Sequence, residues 1–507
     1  MPSTITIPKQ RKKNESYVIG LDCSTTSTKA IVFAKNGNVV AKSQEAIKLF
    51  SPMPHYYEQE ADDWWKSVQK ALRKITHQID PGKILALSVS NQRETFVPLD
   101  KNGECLRPAI IWLDERCKDE VEPFAKIIGK DKIHSITGKP VDYAPVVYRL
   151  EWMKKHEPDL FKNIGMICDV QTYIVWKLTN TFKTSWASAD PFGLFDLKNK
   201  KWSQPILNAL ELNKDQFSET YCPGSILGKV SKEASEITGL NTDTLIIAGG
   251  GDGQAAGTGA NALTPQRAYL NLGTAVVAGV YGKKYKTNKA FRTMSSCAES
   301  GYYYECSLRA GTFAVDWFIK NVLCIDPLKQ SDIYKLLEQE ARQISAGSNG
   351  LLHLPYLCGA MNPYWDLNAR GAFVGLSSFH NRGHIYRSIL EGIAFEQLFA
   401  INAVEKSIGT KINEFVAFGG GTSNNLWCHI FADITGKNIC IPENTEASCM
   451  GAAIAAAVGI GWYGTFKDAA NEMTGINKII KPEMQNYKKY QQLFTKYKRI
   501  YPSLKSR

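Results

Sequence analysis

The sequence predicts a duplicated α/β protein with a cleft between its two halves. Two segments, 17–34 and 268–281, share one pattern: an apolar strand runs into a turn of small residues, and a second strand follows. Other apolar strands end in polar or charged clusters, which is typical of active-site loops at the carboxyl edge of a sheet. A chain of 507 residues is long enough for two such domains.

The first predicted unit contains three strands and a helix. The strands cover residues 17–23, 29–34 and 39–42. Asn36-Gly37 lies between the last two strands and favours a short hairpin turn, since glycine takes the positive φ angles that such turns need. In segment 62–78 apolar side chains recur every three or four residues, which predicts an amphipathic helix. These side chains are Trp65, Val68, Leu72 and Ile75.

Two later strands of this half end in residues suited to chemistry. Strand 84–89 runs into the polar cluster 90–95, and strand 109–112 runs into Asp114 and Arg116. The middle of the chain is predicted to be helical, at 149–156 and 170–178. The charged strand ends therefore point to a site on the first half.

Strand 244–248 runs into Gly249–Gln254 and ends the first half. The second half repeats this organisation, with strand 414–418 running into 419–425. Between them we predict strands 268–272 and 275–281 and a helix at 384–399. We place the division between the halves near 256–265, with domains at 17–256 and 257–507.

The net charge of +12 is concentrated at the two ends of the chain. Residues 1–16, predicted to be a basic tail, carry +3 and residues 478–507 carry +8, which leaves +1 for the body. A nearly neutral body is not the footprint of a nucleic-acid-binding domain. Aromatic residues recur every three or four positions near the C-terminus, which predicts a helix docked by that face with its lysines in solvent. They are Tyr487, Tyr490, Phe494, Tyr497 and Tyr501.

Cysteine usage and hydropathy indicate a cytoplasmic protein. The 12 cysteines are scattered without a CxxC pair or a zinc-site spacing, so we expect buried thiols and no structural zinc. The first sixteen residues lack the apolar stretch of a signal peptide. The longest apolar run, 450–462, is too short to cross a bilayer. We therefore expect neither a membrane nor a nucleic-acid partner.

Three turns have the composition of phosphate-binding loops. The turn after the first strand, 22–28, offers hydroxyl and N–H donors to phosphate oxygens, while Asp22 could hold Mg²⁺ directly or through water. Gly273-Thr274 and 419–425 follow apolar strands in the same way. Singly, each could be a surface turn or a helix cap. Their occurrence together, each directly after a strand, favours nucleotide binding.

On these residues the chain resembles the FGGY family of carbohydrate kinases, which contains glycerol kinases and xylulokinases. The most specific match is 371–376 followed by 384–392, which is similar to a family signature in the second domain. The resemblance covers about 17–464. It implies two ribonuclease H-like domains, as in actin, hexokinase and Hsp70, that flank a catalytic cleft. It also implies an N-terminal sugar-binding domain, a C-terminal nucleotide-binding domain, and ATP with Mg²⁺.

The resemblance assigns roles to individual residues. Asp252 falls on the family's catalytic base, and a carboxylate there makes chemical sense, because the sugar hydroxyl must lose its proton as it attacks the γ-phosphorus. Asp252 could also cap a helix after Gly249–Gly251. Asp22 falls on the metal-binding position. The nucleotide-binding positions are Thr25, Thr26, Ser27, Gly273, Thr274, Gly420, Gly421 and Asn425. The acceptor-binding positions are Gln92, Arg93, Glu94, Trp112, Asp252 and Gln254.

The acceptor itself stays between two alternatives. Gln92-Arg93-Glu94 is the glycerol-kinase form of the acceptor grip, although Arg93 and Glu94 could simply pair with each other. Segments 354–359 and 419–421 are more similar to xylulokinases. We expect transfer of the γ-phosphoryl group of ATP to a terminal hydroxyl of a small ketose or polyol, xylulokinase-like, with glycerol kinase as the alternative.

Two positions depart from the glycerol-kinase pattern. Ala144 stands where those enzymes have a tyrosine that stacks on glycerol, with Tyr143 one residue away. Cys23-Ser24 stands where the family usually has a glycine before the threonine.

Two other classes of protein compete with a kinase. An ATPase of the actin or Hsp70 type would have no reason to keep Arg93 and Glu94 with Asp252, and a catalytically dead sugar-binding relative would be expected to lose Asp22 or Asp252. Family members are often dimers or tetramers, so a homodimer stays open.

Overall fold

The computed structural model describes residues 15–330 and 332–505, and it is built around two central sheets. Most of the predicted basic tail therefore lies outside the described residues. The strands of the first half are β1 Tyr17–Cys23, β2 Ser27–Ala34, β3 Val39–Ala46, β4 Glu58–Gln59, β5 Ile84–Asn91, β6 Phe96–Leu99, β7 Ala109–Ile110, β8 Met166–Asp169, β9 Lys183–Ser185, β10 Phe195–Asp196, β11 Lys201–Trp202, β12 Glu219–Tyr221, β13 Ile226–Lys229 and β14 Leu245–Gly251. Its helices are α1 Ala61–Thr76, α2 Lys118–Ile128, α3 Lys130–Thr137, α4 Val146–His156, α5 Pro158–Lys162, α6 Val170–Thr179, α7 Trp186–Ala189, α8 Gln204–Leu210, α9 Lys232–Thr238 and α10 Asp252–Gly259.

The second half has fewer and longer elements. Its strands are β15 Arg267–Leu272, β16 Val276–Gly282, β17 Arg292–Ser295, β18 Tyr302–Leu308, β19 Leu352–Leu354, β20 Ala372–Val374, β21 Glu414–Phe418, β22 Asn438–Pro442 and β23 Ile476–Ile480. Its helices are α11 Thr312–Trp317, α12 Ile333–Arg342, α13 Arg382–Ile408, α14 Asn425–Thr435, α15 Ala447–Gly459, α16 Phe466–Met473 and α17 Met484–Lys505. No helix in the described ranges is long and apolar enough to cross a membrane.

The two central sheets have matching topology, which confirms the duplicated α/β fold. The first has the order β13-β14-β5-β1-β2-β3, and the second has the order β17-β18-β16-β15-β21-β22-β23. In the first sheet, β2 pairs antiparallel with one side of β1, and β5 and β14 continue parallel on its other side. In the second sheet, β16 pairs antiparallel with one side of β15, and β21 and β22 continue parallel on its other side. An antiparallel strand then closes the parallel side, β13 or β23. The predicted division at residue 256 falls inside α10, between β14 and β15.

The elements predicted from apolar patterns are present, most with small changes at their ends, although the helix predicted at 384–399 extends over Arg382–Ile408. The hairpin between β2 and β3 turns at Gly37, whose φ is +80°. The predicted apolar face of α1 is buried. Predicted strand 109–112 is shorter, because the Trp112 N–H donates to the hydroxyl of Thr95 instead of to a neighbouring strand. The apolar run 450–462 belongs mainly to the buried helix α15.

The two halves meet where glycines allow backbones to touch. A Cβ on Gly451 of α15 would lie 1.8 Å from the carbonyl oxygen of Ala255 in α10. A Cβ on Gly259 would lie 2.0 Å from the carbonyl oxygen of Ala447, and a Cβ on Gly20 of β1 would lie 1.9 Å from the carbonyl oxygen of Cys449. Any larger residue at these positions must push the elements apart. Three glycines therefore set the distance between the halves.

The C-terminal helix docks by its aromatic face, as predicted. Tyr490, Phe494, Tyr497 and Tyr501 are buried, while Tyr487 is half-buried at the edge. The Tyr490 hydroxyl donates to Glu391 of α13 at 2.7 Å, and Arg387 donates to the same carboxylate at 2.8 Å. Glu391 and Arg387 both lie in segment 384–392, which is similar to the family signature, so this segment anchors α17.

A second carboxylate of α13, that of Glu396, faces the same helix and has no basic partner among the described residues. Glu396 is 6% exposed and accepts hydrogen bonds from the hydroxyls of Tyr356 at 2.8 Å and Tyr497 at 2.7 Å. Burial raises the pKa of Glu396 from 4.5 to about 7, and the two hydroxyl donors reduce that rise. The folded protein therefore holds a proton on Glu396 more tightly than the unfolded chain does.

We expect Gly451→Ala to destabilise the protein by about 1–3 kcal/mol, because overpacking forces α10 and α15 apart. Denaturant unfolding of the variant and the wild type measures the difference. Gly464→Ala is the matched control, since a Cβ there meets nothing within 4 Å. Equal stability of the two variants would contradict the contact.

We expect Glu396→Gln to become more stable relative to wild type as pH rises from 5 to 8. Because the folded state binds this proton more tightly, raising the pH from about 4.5 to 7 lowers the wild-type free energy of unfolding, by roughly 2–4 kcal/mol. Urea unfolding at several pH values measures the difference between the proteins. Glu236→Gln, at an exposed position, is the control for the substitution itself. A stability difference between Glu396→Gln and wild type that stays constant with pH would refute the prediction.

Candidate active site

The carboxyl ends of three parallel strands bring two aspartates to one edge of the first sheet. In the register of β1, β5 and β14, Ser90 lies opposite both Asp22 and Gly250. The next residues of β14 lead directly into α10, whose first residue is Asp252. The predicted metal-binding residue and the predicted base therefore lie at the same edge.

Asp22 lies in an environment that disfavours its charge. The Ser90 hydroxyl donates to Oδ1 of Asp22 at 2.8 Å. Burial and, next, the neighbouring carboxylate of Asp252 raise the pKa of Asp22 to about 7, although the Ser90 hydrogen bond opposes the rise. A cation bound between these carboxylates would relieve the repulsion.

Asp252 lies in the cleft beside a basic partner. Its Oδ1 is 3.1 Å from Nε of Arg93 and accepts the Gly253 N–H at 2.7 Å. Its side chain keeps 41% exposure, so the carboxylate is reachable. Burial raises the pKa of Asp252, and Arg93 opposes this rise. Asp252 is the first residue of α10, after the N-cap Gly251, so it both satisfies a helix N–H and faces the cleft.

An ionic network joins Arg93 and Glu94 to the second half. Arg93 donates to Oε2 of Glu305 at 2.8 Å, and Arg292 donates to Oε1 of Glu94 at 2.9 Å. Arg292 also donates to Glu305 at 2.5 Å. We call Arg93, Glu94, Asp252, Arg292 and Glu305 the cleft network. Nε of Arg93 is 4.0 Å from the carboxylate of Glu94. The shortest ionic contacts of Arg93 and Glu94 are therefore with Glu305 and Arg292 of the second half, and not with each other.

Glu305 is the buried centre of the cleft network. Its side chain is fully buried, and the Tyr269 hydroxyl donates to it at 2.7 Å. Although burial opposes ionisation, Arg292 and Arg93 hold the pKa of Glu305 down at about 2. Glu305 is therefore a carboxylate at all physiological pH values and fixes both guanidinium groups.

Arg292 and Glu305 were not predicted from the sequence. These residues lie directly opposite each other on the antiparallel strands β17 and β18. An opposite-charge pair across two strands is a recognisable signal, but it appears only once both strands are identified and aligned, and neither was predicted.

Two predicted acceptor residues, Gln92 and Gln254, lie beneath the cleft. Gln92 is 1% exposed and donates to Oε1 of Gln59 at 2.7 Å. Gln254 is fully buried and donates to the carbonyl of Ala187 at 2.9 Å. Gln59 in turn donates to the carbonyl of Thr25 at 2.6 Å. Gln92 thus supports the first phosphate turn through Gln59, and its contact with an acceptor stays a prediction.

The first phosphate turn is tied to the acceptor side of the cleft. Trp112 donates from Nε1 to the Thr25 hydroxyl at 2.9 Å. Thr26 is exposed, while the Ser27 hydroxyl is buried and accepts from Gln44 at 3.1 Å. Ser24 donates to the Ser27 carbonyl at 2.8 Å and needs no positive φ. The serine in place of the family glycine therefore stabilises this turn.

The other two phosphate-type turns lie side by side on the second sheet. β15 and β21 are parallel neighbours, so the turns that follow them meet at one sheet edge. A Cβ on Gly419 would lie 2.5 Å from Oδ1 of Asn271, which is two residues before Gly273-Thr274. Thr274 is exposed, and Gly420 has open space around it. The helix cap is Asn424, which accepts the Trp427 N–H. The side chain of Asn425 instead accepts from Lys478 at 2.8 Å.

One buried arginine holds three loops of the acceptor side. Arg149 of α4 is fully buried and donates to the carbonyls of Glu94 at 2.8 Å, Ile111 at 2.7 Å and Ala144. Glu94 has a φ of +47°, a conformation that side-chain-bearing residues rarely adopt. Because no carboxylate pairs with Arg149 among the described residues, its role is to satisfy carbonyls and to fix these loops.

Tyr143 and Arg116 complete the wall around these loops. The guanidinium of Arg309, from the second half, lies 4.8 Å from the ring centre of Tyr143 and pairs with Asp142 at 2.6 Å. Arg116 binds both oxygens of buried Asp114 at 2.8 Å. The Asp114–Arg116 pair therefore braces the loop that follows Trp112, while the indole of Trp112 contacts the first phosphate turn at Thr25.

Comparison with known proteins assigns this architecture to a family. Residues 17–259 match the N-terminal domain of the FGGY family of carbohydrate kinases, and residues 256–460 match its C-terminal domain. The chain is 30% identical to the xylulose kinase of Bacillus subtilis (strain 168), with 96% of this chain and 97% of that protein covered.

Two solved structures have the same overall fold. Xylulose kinase from Lactobacillus acidophilus superposes with a TM-score of 0.89 at 26% identity, covering 96% of this chain and 98% of that one. Gluconate kinase from the same organism gives 0.90 at 26% identity, covering 97% and 98%. The ribonuclease H-like pair of domains expected from the resemblance is therefore confirmed.

We expect Arg149→Met to destabilise the protein by about 3 kcal/mol or more, because it leaves three carbonyls without their donor. Arg149→Lys should lose less, although one ammonium cannot reach all three carbonyls. Hydrogen exchange should speed up in loops 93–95, 111–116 and 143–145 of both variants. Arg267→Met, at a half-exposed arginine, is the control and should leave exchange in these three loops unchanged. Unchanged exchange in the loops of the Arg149 variants would show that Arg149 does not hold them.

Proposed function

The chain belongs to the FGGY family of carbohydrate kinases, and we propose that it transfers the γ-phosphoryl group of ATP to a terminal hydroxyl of xylulose or a similar small neutral ketose. The observation that carries this proposal is the position of Asp252 beside Arg93 and Glu94, at the sheet edge that also carries Asp22. A base, paired hydroxyl-binding groups and a phosphate turn then share one cleft.

Asp252 serves as the general base. The hydroxyl of a sugar is a poor nucleophile, and it gains strength when a carboxylate accepts its proton as the bond to phosphorus forms. Arg93 holds the carboxylate of Asp252 in place at 3.1 Å, and the Gly253 N–H fixes the same oxygen. Because phosphoryl transfer has a loose transition state, such positioning contributes more than a strong base would.

The phosphates of ATP bind to the turns of both halves. Thr25, Thr26 and Ser27 serve from the first half, and the second half contributes Gly273, Thr274, Gly420, Gly421 and Asn425. Open space at Gly420 and exposure of Thr26 and Thr274 leave backbone and hydroxyl donors accessible. Since backbone N–H groups bind phosphate oxygens without a basic patch, the nearly neutral body of the chain suits this ligand.

Asp22 is the residue that would hold Mg²⁺. The described residues contain no cluster of three or more His, Cys, Asp or Glu that could hold a metal alone. Mg²⁺ typically takes one or two carboxylates together with substrate phosphates, and the mutual repulsion of Asp22 and Asp252 suits a cation there. When bound, the ion neutralises charge on the transferring phosphoryl group.

The charge of the cleft network favours a neutral acceptor. Two arginines face three carboxylates, so the network carries a net negative charge. A sugar acid such as gluconate would meet repulsion there, whereas hydroxyls can both donate to Glu94 and accept from Arg93. Glycerol is the second candidate, because Arg93 and Glu94 do lie beside Asp252 as the glycerol-kinase resemblance implies.

We expect ADP release from wild-type protein with ATP and Mg²⁺ to rise most with xylulose in a panel that also contains ribulose, erythritol, glycerol and gluconate. Asp252→Asn should lower kcat for the best acceptor about 100-fold or more, because the base is lost. The exposed Asp243→Asn is the matched control and should keep full turnover. A panel in which no acceptor raises turnover, or full turnover in Asp252→Asn, would overturn the proposal.

A further inference from the structure

We infer that Arg292, contributed by the second half, is an acceptor-binding residue that determines specificity for the sugar. This inference rests on the proposed function, since it concerns the same cleft. Its basis is the position of a second guanidinium in the cleft network, where it reaches the carboxylate of Glu94 that would bind the acceptor.

The fold presents Arg292 rigidly. Arg292 lies at the start of β17, directly opposite Glu305 of β18, and their side chains join at 2.5 Å. Glu305 also binds Arg93, so one buried carboxylate sets the positions of two guanidinium groups. Long arginine side chains lose much conformational entropy when a ligand orders them. Here the protein has ordered both before the acceptor arrives.

Both arginines retain a donor for a ligand. Arg93 uses Nε and Nη1, and Arg292 uses Nε and Nη1, in the contacts of the cleft network. No hydrogen bond among the described residues uses Nη2 of either side chain. Their side chains keep 9% and 12% exposure. Each can therefore donate to an oxygen in the cleft without leaving its carboxylates.

Arg292 also decides how Glu94 can bind. It donates to Oε1 of Glu94 at 2.9 Å, whereas no hydrogen bond among the described residues ends on Oε2. Oε2 is thus the oxygen available to accept a hydroxyl proton. Arg149 fixes the backbone of Glu94 through its carbonyl, and Arg292 fixes the carboxylate. Glu94 and Arg292 together form an acceptor and a donor side by side, which matches adjacent hydroxyls of a sugar.

The inference is tested by a thermodynamic cycle with the best acceptor of the panel and analogues that each lack one non-reacting hydroxyl. Arg292→Lys and Arg292→Gln should lower kcat/KM for the parent sugar about 10- to 100-fold, since a charged hydrogen bond is lost or misplaced. For one analogue, the variants should differ from wild type by less than about threefold, because the hydroxyl that Arg292 binds is already absent. KM for ATP should stay unchanged.

Arg267→Gln is the control, as an ion-paired arginine of the same sheet that lies outside the cleft network. An equal loss for the parent sugar and every analogue would show that Arg292 acts only on the structure, and an unchanged kcat/KM would show that it does not act at all. Either result overturns the inference. If wild-type protein phosphorylates no acceptor, the proposed function fails instead, so the two failures are distinguishable. Thermal unfolding of both variants identifies any that is misfolded.

Discussion

The backbone contact between α10 and α15 is the constraint on which the arrangement of the cleft depends. A side chain at Gly451 or Gly259 would collide with a carbonyl of the opposite helix, and one at Gly20 would collide with Cys449. Because β1 carries Asp22 and α10 begins at Asp252, the second half packs directly against the two elements that carry these carboxylates. It also brings the second sheet close enough for its side chains to reach the first.

The cleft network is the consequence of that approach. Glu305 is fully buried and is ionised because two arginines surround it, one from each half. A buried carboxylate with a missing partner would be strongly destabilising, so the network is stable only when both halves are in contact. The orientation of Asp252 by Arg93 therefore depends on the second half as well as on the first. In this account the acceptor site belongs to neither domain alone.

Local patterns predicted the strands that lead into the phosphate-type turns, those turns, and the strand ends that hold three members of the cleft network. Arg93, Glu94 and Asp252 follow apolar strands, and strand ends at one sheet edge are a recognisable signal. Arg292 and Glu305 escaped prediction because their importance comes from contacts about 200 residues away along the chain, such as Arg93 with Glu305. Gln92, which directly follows β5, and Gln254, in the first turn of α10, were grouped with their neighbours, but tertiary packing directs both to buried partners. Arg149 looked like one polar residue of a helix, and its three carbonyl partners arise only from tertiary packing.

The most direct test of the two-half acceptor site is a crystal structure with the acceptor sugar and a non-hydrolysable ATP analogue. We predict that the terminal hydroxyl lies within hydrogen-bond distance of the Asp252 carboxylate, and that other hydroxyls contact Arg93, Glu94 and Arg292. A sugar bound entirely by the first half, with Arg292 contacting Glu94 and Glu305 alone, would contradict it.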